Sequence, residues 1–305
     1  MNEEVQVEKG SPLLIHHMAN GDHDHPPNSL AALRYCLEAG ARVIEVDVNP
    51  LREDDFALLH DDLLESATDG SGLVAAATPD EVRAYRYTHR DAVTEERVAL
   101  LSDALEVIQD YAQGPFQELQ LDFKISPDLS DETLNRFVQM VEPVKDLVRV
   151  TCPADWVLRQ LRALDPELPQ GFDPLLYIEV FDTGEEIPPF RQGAYGYWDD
   201  HPLGTRRWGP TAEYLAARAE ALLAQAPDRE VWYIHAWVLD RVLDDGFDWI
   251  DYLHRRSILV DAWTLDVGKP RHVELARRFM EAGVDRLTTN TAPQLAAALD
   301  DAPRF

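Results

Sequence analysis

The chain has little cysteine: Cys36 and Cys152 are its only two in 305 residues, and they lie far apart without metal-type spacing. That argues against a disulfide framework and a zinc site, and leaves both thiols as expected buried small hydrophobes. Long apolar runs are missing as well. No segment approaches the roughly 20 apolar residues of a membrane span. The opening MNEEVQVEKGSP is acidic and polar where an export signal needs a basic flank and an apolar stretch. A cytoplasmic protein without stable membrane association is expected. Basic residues are scarce, 28 Lys and Arg against 56 Asp and Glu, for a formal net charge of -28. A surface this acidic repels nucleic-acid phosphates and anionic lipid headgroups, so neither is an expected partner. An anionic small molecule fits only where a metal ion or a few basic side chains reverse the local potential.

What is present is a regular alternation. Short apolar runs bounded by turn residues read as strands at 13–17, 43–48, 118–124, 148–152, 175–181, 231–237, 258–264 and 286–290. Segments of helical period lie between most of them. In NSLAALRYCLEAG, Asn28 or Ser29 can cap, Leu30, Leu33 and Leu37 share a face, and Gly40 ends the helix. Strand and helix in alternation favour a parallel sheet closed into a (β/α)8 TIM barrel, one domain over residues 1–305. Residues 61–100 interrupt the rhythm as a modest insertion. Residues 182–210, rich in aromatics, form a long loop after the expected fifth strand, over the C-terminal mouth where barrel active sites are built.

Strand parity sorts the polar residues. In VIEVDV, Glu45 and Asp47 share a face, and in LQLDFK so do Gln120, Asp122 and Lys124. The outer faces pack on helices, so both polar sets are expected to face the barrel interior. Three carboxylates converging in a confined mouth repel one another unless a cation neutralises them, and hard oxygen donors favour one Mg²⁺ or Ca²⁺. His17 ends the first strand and His60 ends FALLH, so both can reach that mouth. Two imidazoles beside a divalent ion suit phosphodiester cleavage: one removes a proton from the attacking hydroxyl while the other protonates the leaving alkoxide. His16 has the opposite parity and is expected to pack outward. His23 and His25, in GDHDHPP, read as a polar turn on the rim. His235 stands at a strand end as a candidate substrate contact, and Glu179 reads as an inward polar group.

PLLIHH, PPNSLAALRYCLEAGARVIEVDV, LLHDDLLESATDGSG, LQLDFK, AWTLD and EAGVDRLTTNTAPQL together, in this order, resemble the glycerophosphodiester phosphodiesterase family, whose pattern runs H-R-G, P-E-N-T, E-x-D, H-D, E-x-K and a late W-T. The resemblance spans nearly the whole chain. It implies His17 and His60 as the acid/base pair, Glu45, Asp47 and Asp122 as metal ligands, and Lys124 as a phosphate and carboxylate contact. Met18 stands where that pattern has arginine, Pro27 where it has glutamate, and Asp122 where it has the longer glutamate. Without the arginine, Lys124 or a loop arginine such as Arg206 or Arg207 is the expected substitute. HMAN (17–20), the aspartate of LDFK, WTLD and TTN are also similar to the spider-venom sphingomyelinase D and phospholipase D group. That similarity implies Asn20, Trp263, Asp266 and Asn290 as further substrate contacts.

The expected activity is metal-dependent hydrolysis of a small glycerophosphodiester to an alcohol and glycerol phosphate. The alternatives are phospholipase D-like cleavage of lysophospholipids or sphingomyelin, via a cyclic phosphate, and a degenerate barrel that binds a phosphodiester without turnover. A barrel aldolase or isomerase would instead use Lys124 as a Schiff base.

Overall fold

The computed structural model describes residues 11–53, 55–125, 129–180, 191–226 and 229–300. Eight parallel strands form the barrel: β1 (Leu13–His16), β2 (Val43–Pro50), β3 (Glu118–Phe123), β4 (Val148–Cys152), β5 (Gln170–Phe172), β6 (Val231–His235), β7 (Leu259–Trp263) and β8 (Arg286–Thr289). Each pairs with the next, and β8 returns to β1, which also pairs with β2 and closes the ring. All eight residues of β2 are buried, because its inner side chains enter the barrel while its outer ones pack beneath helices.

The helices form an outer layer. Helix α1 (Leu30–Glu38) is capped by Ser29, whose hydroxyl accepts from Ala32 N–H at 3.1 Å, and it buries Leu33, Cys36 and Leu37. Further along, α3 (Leu101–Gln109), α4 (Asp131–Val141), α5 (Asp155–Leu164), α6 (Thr211–Gln225), α7 (Ala236–Asp244), α8 (Trp249–His254) and α9 (His272–Ala282) turn apolar stripes onto the same core.

The N-terminal end of the barrel is filled by an ionic layer. Glu118 of β3 accepts from Arg286 of β8 at 2.6 Å and from Arg149 of β4 at 2.9 Å. Burial would raise the Glu118 carboxyl, and the two guanidiniums outweigh that and hold it below its ordinary range. Above this layer Asp261 of β7, fully buried, accepts from the Thr288 hydroxyl at 2.9 Å.

The expected fifth strand at 175–181 is not a strand. Pro174–Leu176 is a 3-10 turn, Glu179 forms an isolated bridge with Trp198, and Phe181 lies outside the described residues. The barrel strand is the earlier QGF, where Gly171 leaves room for a ring: a Cβ there would lie 2.3 Å from Cε2 of Tyr233. Strands β1 and β6 end at His16 and His235, so His17 starts a 3-10 turn and α7 follows β6 directly.

Residues 61–100 carry short 3-10 turns, α2 (Pro79–Ala84) and an antiparallel hairpin of Arg86–His89 with Ala92–Arg97. Leu64, Val74, Val82 and Tyr87 give this part a small apolar core of its own. Of the aromatic loop, 182–190 lie outside the described residues. The remainder turns its rings onto the helices: Tyr195 stacks on Tyr214 of α6 with centroids 4.1 Å apart, and Tyr197 donates to Asp245 at 2.8 Å.

Candidate active site

The two acidic motifs meet because β2 and β3 are adjacent and in register. Asp47 pairs across with Asp122, and Glu45 with Gln120. Carboxylate oxygens of Glu45, Asp47 and Asp122 lie within 4.8 Å of one another. Glu45 and Asp47 are buried, and Asp122 is part-exposed. Asn28, at φ +62, fixes Asp47: its Nδ2 donates to Asp47 Oδ2 at 2.7 Å and its Oδ1 accepts from Asp47 N–H at 3.1 Å. Lys124 completes the group, with Nζ 2.6 Å from both Asp47 Oδ1 and Asp122 Oδ2. Burial works against the Lys124 charge, but Asp122 and Asp47 outweigh it and push its pKa up. Burial raises the Asp47 carboxyl and Lys124 more than reverses that. Glu45 has no lysine or arginine in contact among the described residues. Burial first, then Asp47 and Asp122, push it well above the ordinary carboxyl range.

Glu45 Oε1 is buried without a hydrogen-bond partner among the described residues, in a cluster made only of oxygen donors and one ammonium. An unpaired carboxylate oxygen in such a cluster is costly unless a cation shares it. The donor set therefore fits a hard divalent ion.

His17 sits on a backbone with a left-handed bend, Met18 at φ +52 and Ala19 at φ +55. The bend lets Met18 N–H donate to Glu45 Oε2 at 2.6 Å. Asn290 sets the His17 ring. Its Nδ2 and backbone N–H donate to Asp266 at 3.0 and 2.8 Å, leaving its Oδ1 to accept from Asn20 Nδ2 at 2.8 Å and from His17 Nδ1 at 2.9 Å. Nδ1 of His17 thus carries a proton, and Nε2 faces Glu45 Oε2 at 3.8 Å.

The other N-terminal histidines hold this bend from outside. His16 Nδ1 donates to Asn20 O and His23 Nε2 to Ala19 O, each at 2.9 Å, and Cys36 donates to Ala19 O at 3.1 Å. His25 lies beside His23, with centroids 5.2 Å apart and the ring planes tilted by 45°. His16 faces the helix layer through Cys36 of α1, and the GDHDH turn is a hydrogen-bonded brace.

His60 faces the same cavity, its Nδ1 2.9 Å from Asp61. The cavity, about 310 Å³, is lined also by Asp62, Asp122, Lys124, Asp173 and Trp263. Asp62, Asp173, Gln120 and Tyr233 were not singled out as site residues by sequence, although the parity of LQLDFK turns Gln120 inward. Burial pushes the Asp173 carboxyl well above its ordinary range. Buried polar atoms of Gln120 (Oε1), Tyr233 (OH) and Trp263 (Nε1) are without partners among the described residues.

Four expected substrate contacts stand one layer back. Asn20, Asp266, Asn290 and His235 are absent from the cavity lining among the described residues. The first three fix His17. His235 stacks behind Trp263 with centroids 4.8 Å apart, and its Nδ1 lies 2.8 Å from Glu179, which gives that buried carboxylate a role. Nor does either loop arginine line the cavity among the described residues. Arg207 donates to Ala194 O at 3.1 Å and lies over Tyr195, leaving Lys124 as the cation in place.

Comparison with known proteins agrees with this geometry. The sequence profile of the glycerophosphoryl diester phosphodiesterase family matches residues 20–172. The chain belongs to this family. It is similar to glycerophosphodiester phosphodiesterase 1 of Mus musculus, 34% identical over 89 residues that cover 28% of this chain and 27% of that protein. A glycerophosphodiester phosphodiesterase of Caldanaerobacter subterraneus is 24% identical over 154 residues, 50% of this chain and 61% of that one. The chain thus spans less than two thirds of these curated relatives. The fold is shared with a phosphodiesterase of Oleispira antarctica in complex with sn-glycerol-3-phosphate, at a TM-score of 0.66 and 22% identity, over 95% of this chain and 97% of that one.

Proposed function

We propose that this family member hydrolyses glycerophosphodiesters to an alcohol and glycerol phosphate. The observation that carries the reading is one cavity lined by His17, His60, Lys124, Glu45 and Asp122, with Asp47 buried directly behind and clustered with these two carboxylates. Glu45, Asp47 and Asp122 would hold one divalent cation, Mg²⁺ or Ca²⁺, which when bound supplies positive charge against the phosphate. Lys124 adds a second positive charge beside it.

His17 accepts a proton from the attacking water at Nε2, the nitrogen left free by Asn290. A new P–O bond forms and the P–O bond to the alcohol breaks. His60 gives the departing oxygen a proton, with Asp61 placed to offset the charge on its ring. Trp263, held by His235, walls the cavity, while Gln120, Tyr233 and Asp173 offer polar atoms to the glycerol hydroxyls. The sequence relatives support the reaction by their names. The bound product of the Oleispira protein supports the substrate class.

The test is hydrolysis of soluble glycerophosphodiesters, lysophospholipids and sphingomyelin with Mg²⁺, Ca²⁺ or chelator. Release of glycerol phosphate that stops with chelator, and drops at least a hundredfold in His17→Ala and His60→Ala while folding is intact, is the expected result. Undiminished turnover in both variants would overturn the assignment, and activity on the lipids alone would favour phospholipase D-like cleavage.

A further inference from the structure

Glu179 is a buried carboxylate outside the acidic cluster, and its backbone is fixed from the aromatic loop. It forms an antiparallel bridge with Trp198, each backbone N–H donating to the other's carbonyl, at 3.1 and 2.9 Å. The loop is itself fastened there: Asp199, the next residue, accepts from Tyr214 and Arg218 of α6 at 2.8 and 2.6 Å. From this rooted position Glu179 Oε1 accepts from Val180 N–H at 2.7 Å and from His235 Nδ1 at 2.8 Å. Its Oε2 is buried without a hydrogen-bond partner among the described residues. His235 ends β6 directly opposite Trp263, the last residue of β7, so the two side chains leave the sheet on the same side. Their rings stack, with centroids 4.8 Å apart and planes 29° from parallel. Trp263 lines the central cavity, and its Nε1 is buried without a partner among the described residues, so no hydrogen bond of its own orients the indole.

We propose that Glu179 and His235 are positioning residues that set the plane of Trp263 and so fix the wall against which the non-reacting part of the diester packs. The proposal rests on the hydrolase reading and deepens it. A buried carboxylate with one oxygen unpaired is costly, and an apolar pair would fill the same space without that cost. What Glu179 adds is direction: it fixes the turn of the His235 ring, and the stack passes that orientation to the indole. The proton-handling residues are braced separately, His17 by Asn290 and His60 by Asp61. Loss of the pair is therefore felt in KM rather than in kcat.

The test uses the full chain with Mg²⁺ and glycerophosphoethanolamine. His235→Ala and Glu179→Leu are expected to raise KM about tenfold and to leave kcat within about twofold. Glu179→Gln, whose amide oxygen still accepts from Nδ1, is expected to keep the wild-type KM. The double variant Glu179→Leu/His235→Phe leaves no buried polar group without its partner, so it replaces a single variant that does not fold, and the same rise in KM is expected of it. Trp263 emission, taken as the difference from Trp263→Phe in each background, is expected to change in Glu179→Leu and His235→Ala and not in Glu179→Gln. A pair that merely holds the fold would lower the melting temperature and leave KM and this emission as in the wild type, and that result overturns the proposal. So does a loss confined to kcat, or a Glu179→Gln as impaired as Glu179→Leu. If the wild type hydrolyses no diester, the hydrolase reading fails, and the pair is judged by emission alone: a change in Glu179→Leu that Glu179→Gln does not show supports it, and no change overturns it.

Discussion

Asn28 and Asp47 grip each other by two reciprocal hydrogen bonds, side-chain amide to carboxylate and backbone N–H to amide oxygen, at 2.7 and 3.1 Å. Asn28 precedes the cap of α1, and Asp47 is fully buried in β2. The pair therefore ties the outer helix layer to the carboxylate cluster. A ligand's outer partner fixes its direction and charge. Asn28→Asp is expected to weaken Mg²⁺ and Ca²⁺ binding about ten- to a hundredfold, because an amide donor becomes a second acceptor against Asp47. Calorimetric titration of both proteins checks this. Equal affinities would mean that the remaining oxygens hold Asp47 in place unaided.

Lys124 and a divalent ion held by Glu45, Asp47 and Asp122 would answer the same negative charge. Lys124→Met removes the ammonium from between Asp47 and Asp122, and breaking so buried an arrangement costs roughly 3–5 kcal/mol. Saturating Mg²⁺ or Ca²⁺ is expected to raise the melting temperature of the variant more than that of the wild type, by mass action on the folded state. Identical cation-induced shifts would show that Lys124 and the ion do not share these carboxylates.

Asp261 makes stability depend on pH. Burial raises its pKa from 3.8 to about 7 in the folded barrel, although Thr288 and Arg286 pull the other way. Between those two values the unfolded chain has lost this proton and the folded one keeps it. Stability from this residue therefore falls as pH rises through that window. The difference in unfolding free energy between wild type and Asp261→Asn is expected to decline by up to about 1.4 kcal/mol per pH unit from pH 4 to 7 and to level off outside it. Urea denaturation across this range measures the slope. A flat difference would mean that folding leaves the proton affinity of Asp261 unchanged.

The barrel was legible wherever a strand carried both of its signals, a buried outer face and a polar inner one, as in VIEVDV and LQLDFK. Parity alone turned Glu45, Asp47, Asp122 and Lys124 inward. It failed at β5, where QGF is too short and too polar to stand out, while LLYIEV nearby is more apolar but lies in the loop beyond the strand. What makes QGF a strand is a fit seen only in space, the ring of Tyr233 against Gly171. The cavity-facing histidines follow from their strand-end positions, whereas their supports do not. His17 and Asn290 are 273 residues apart, so no local pattern announces the hydrogen bond between them. Asn28 was hidden differently: the same residue type suits a helix cap, and Ser29 takes that part.

The ionic layer of Glu118, Arg149 and Arg286 stoppers one end of the barrel. A vessel closed at its base loads and empties through the same neck, so cargo arriving at the carboxylates and cargo departing from them share one path. For a reaction that makes two molecules from one, the order of exit then becomes a matter of queueing.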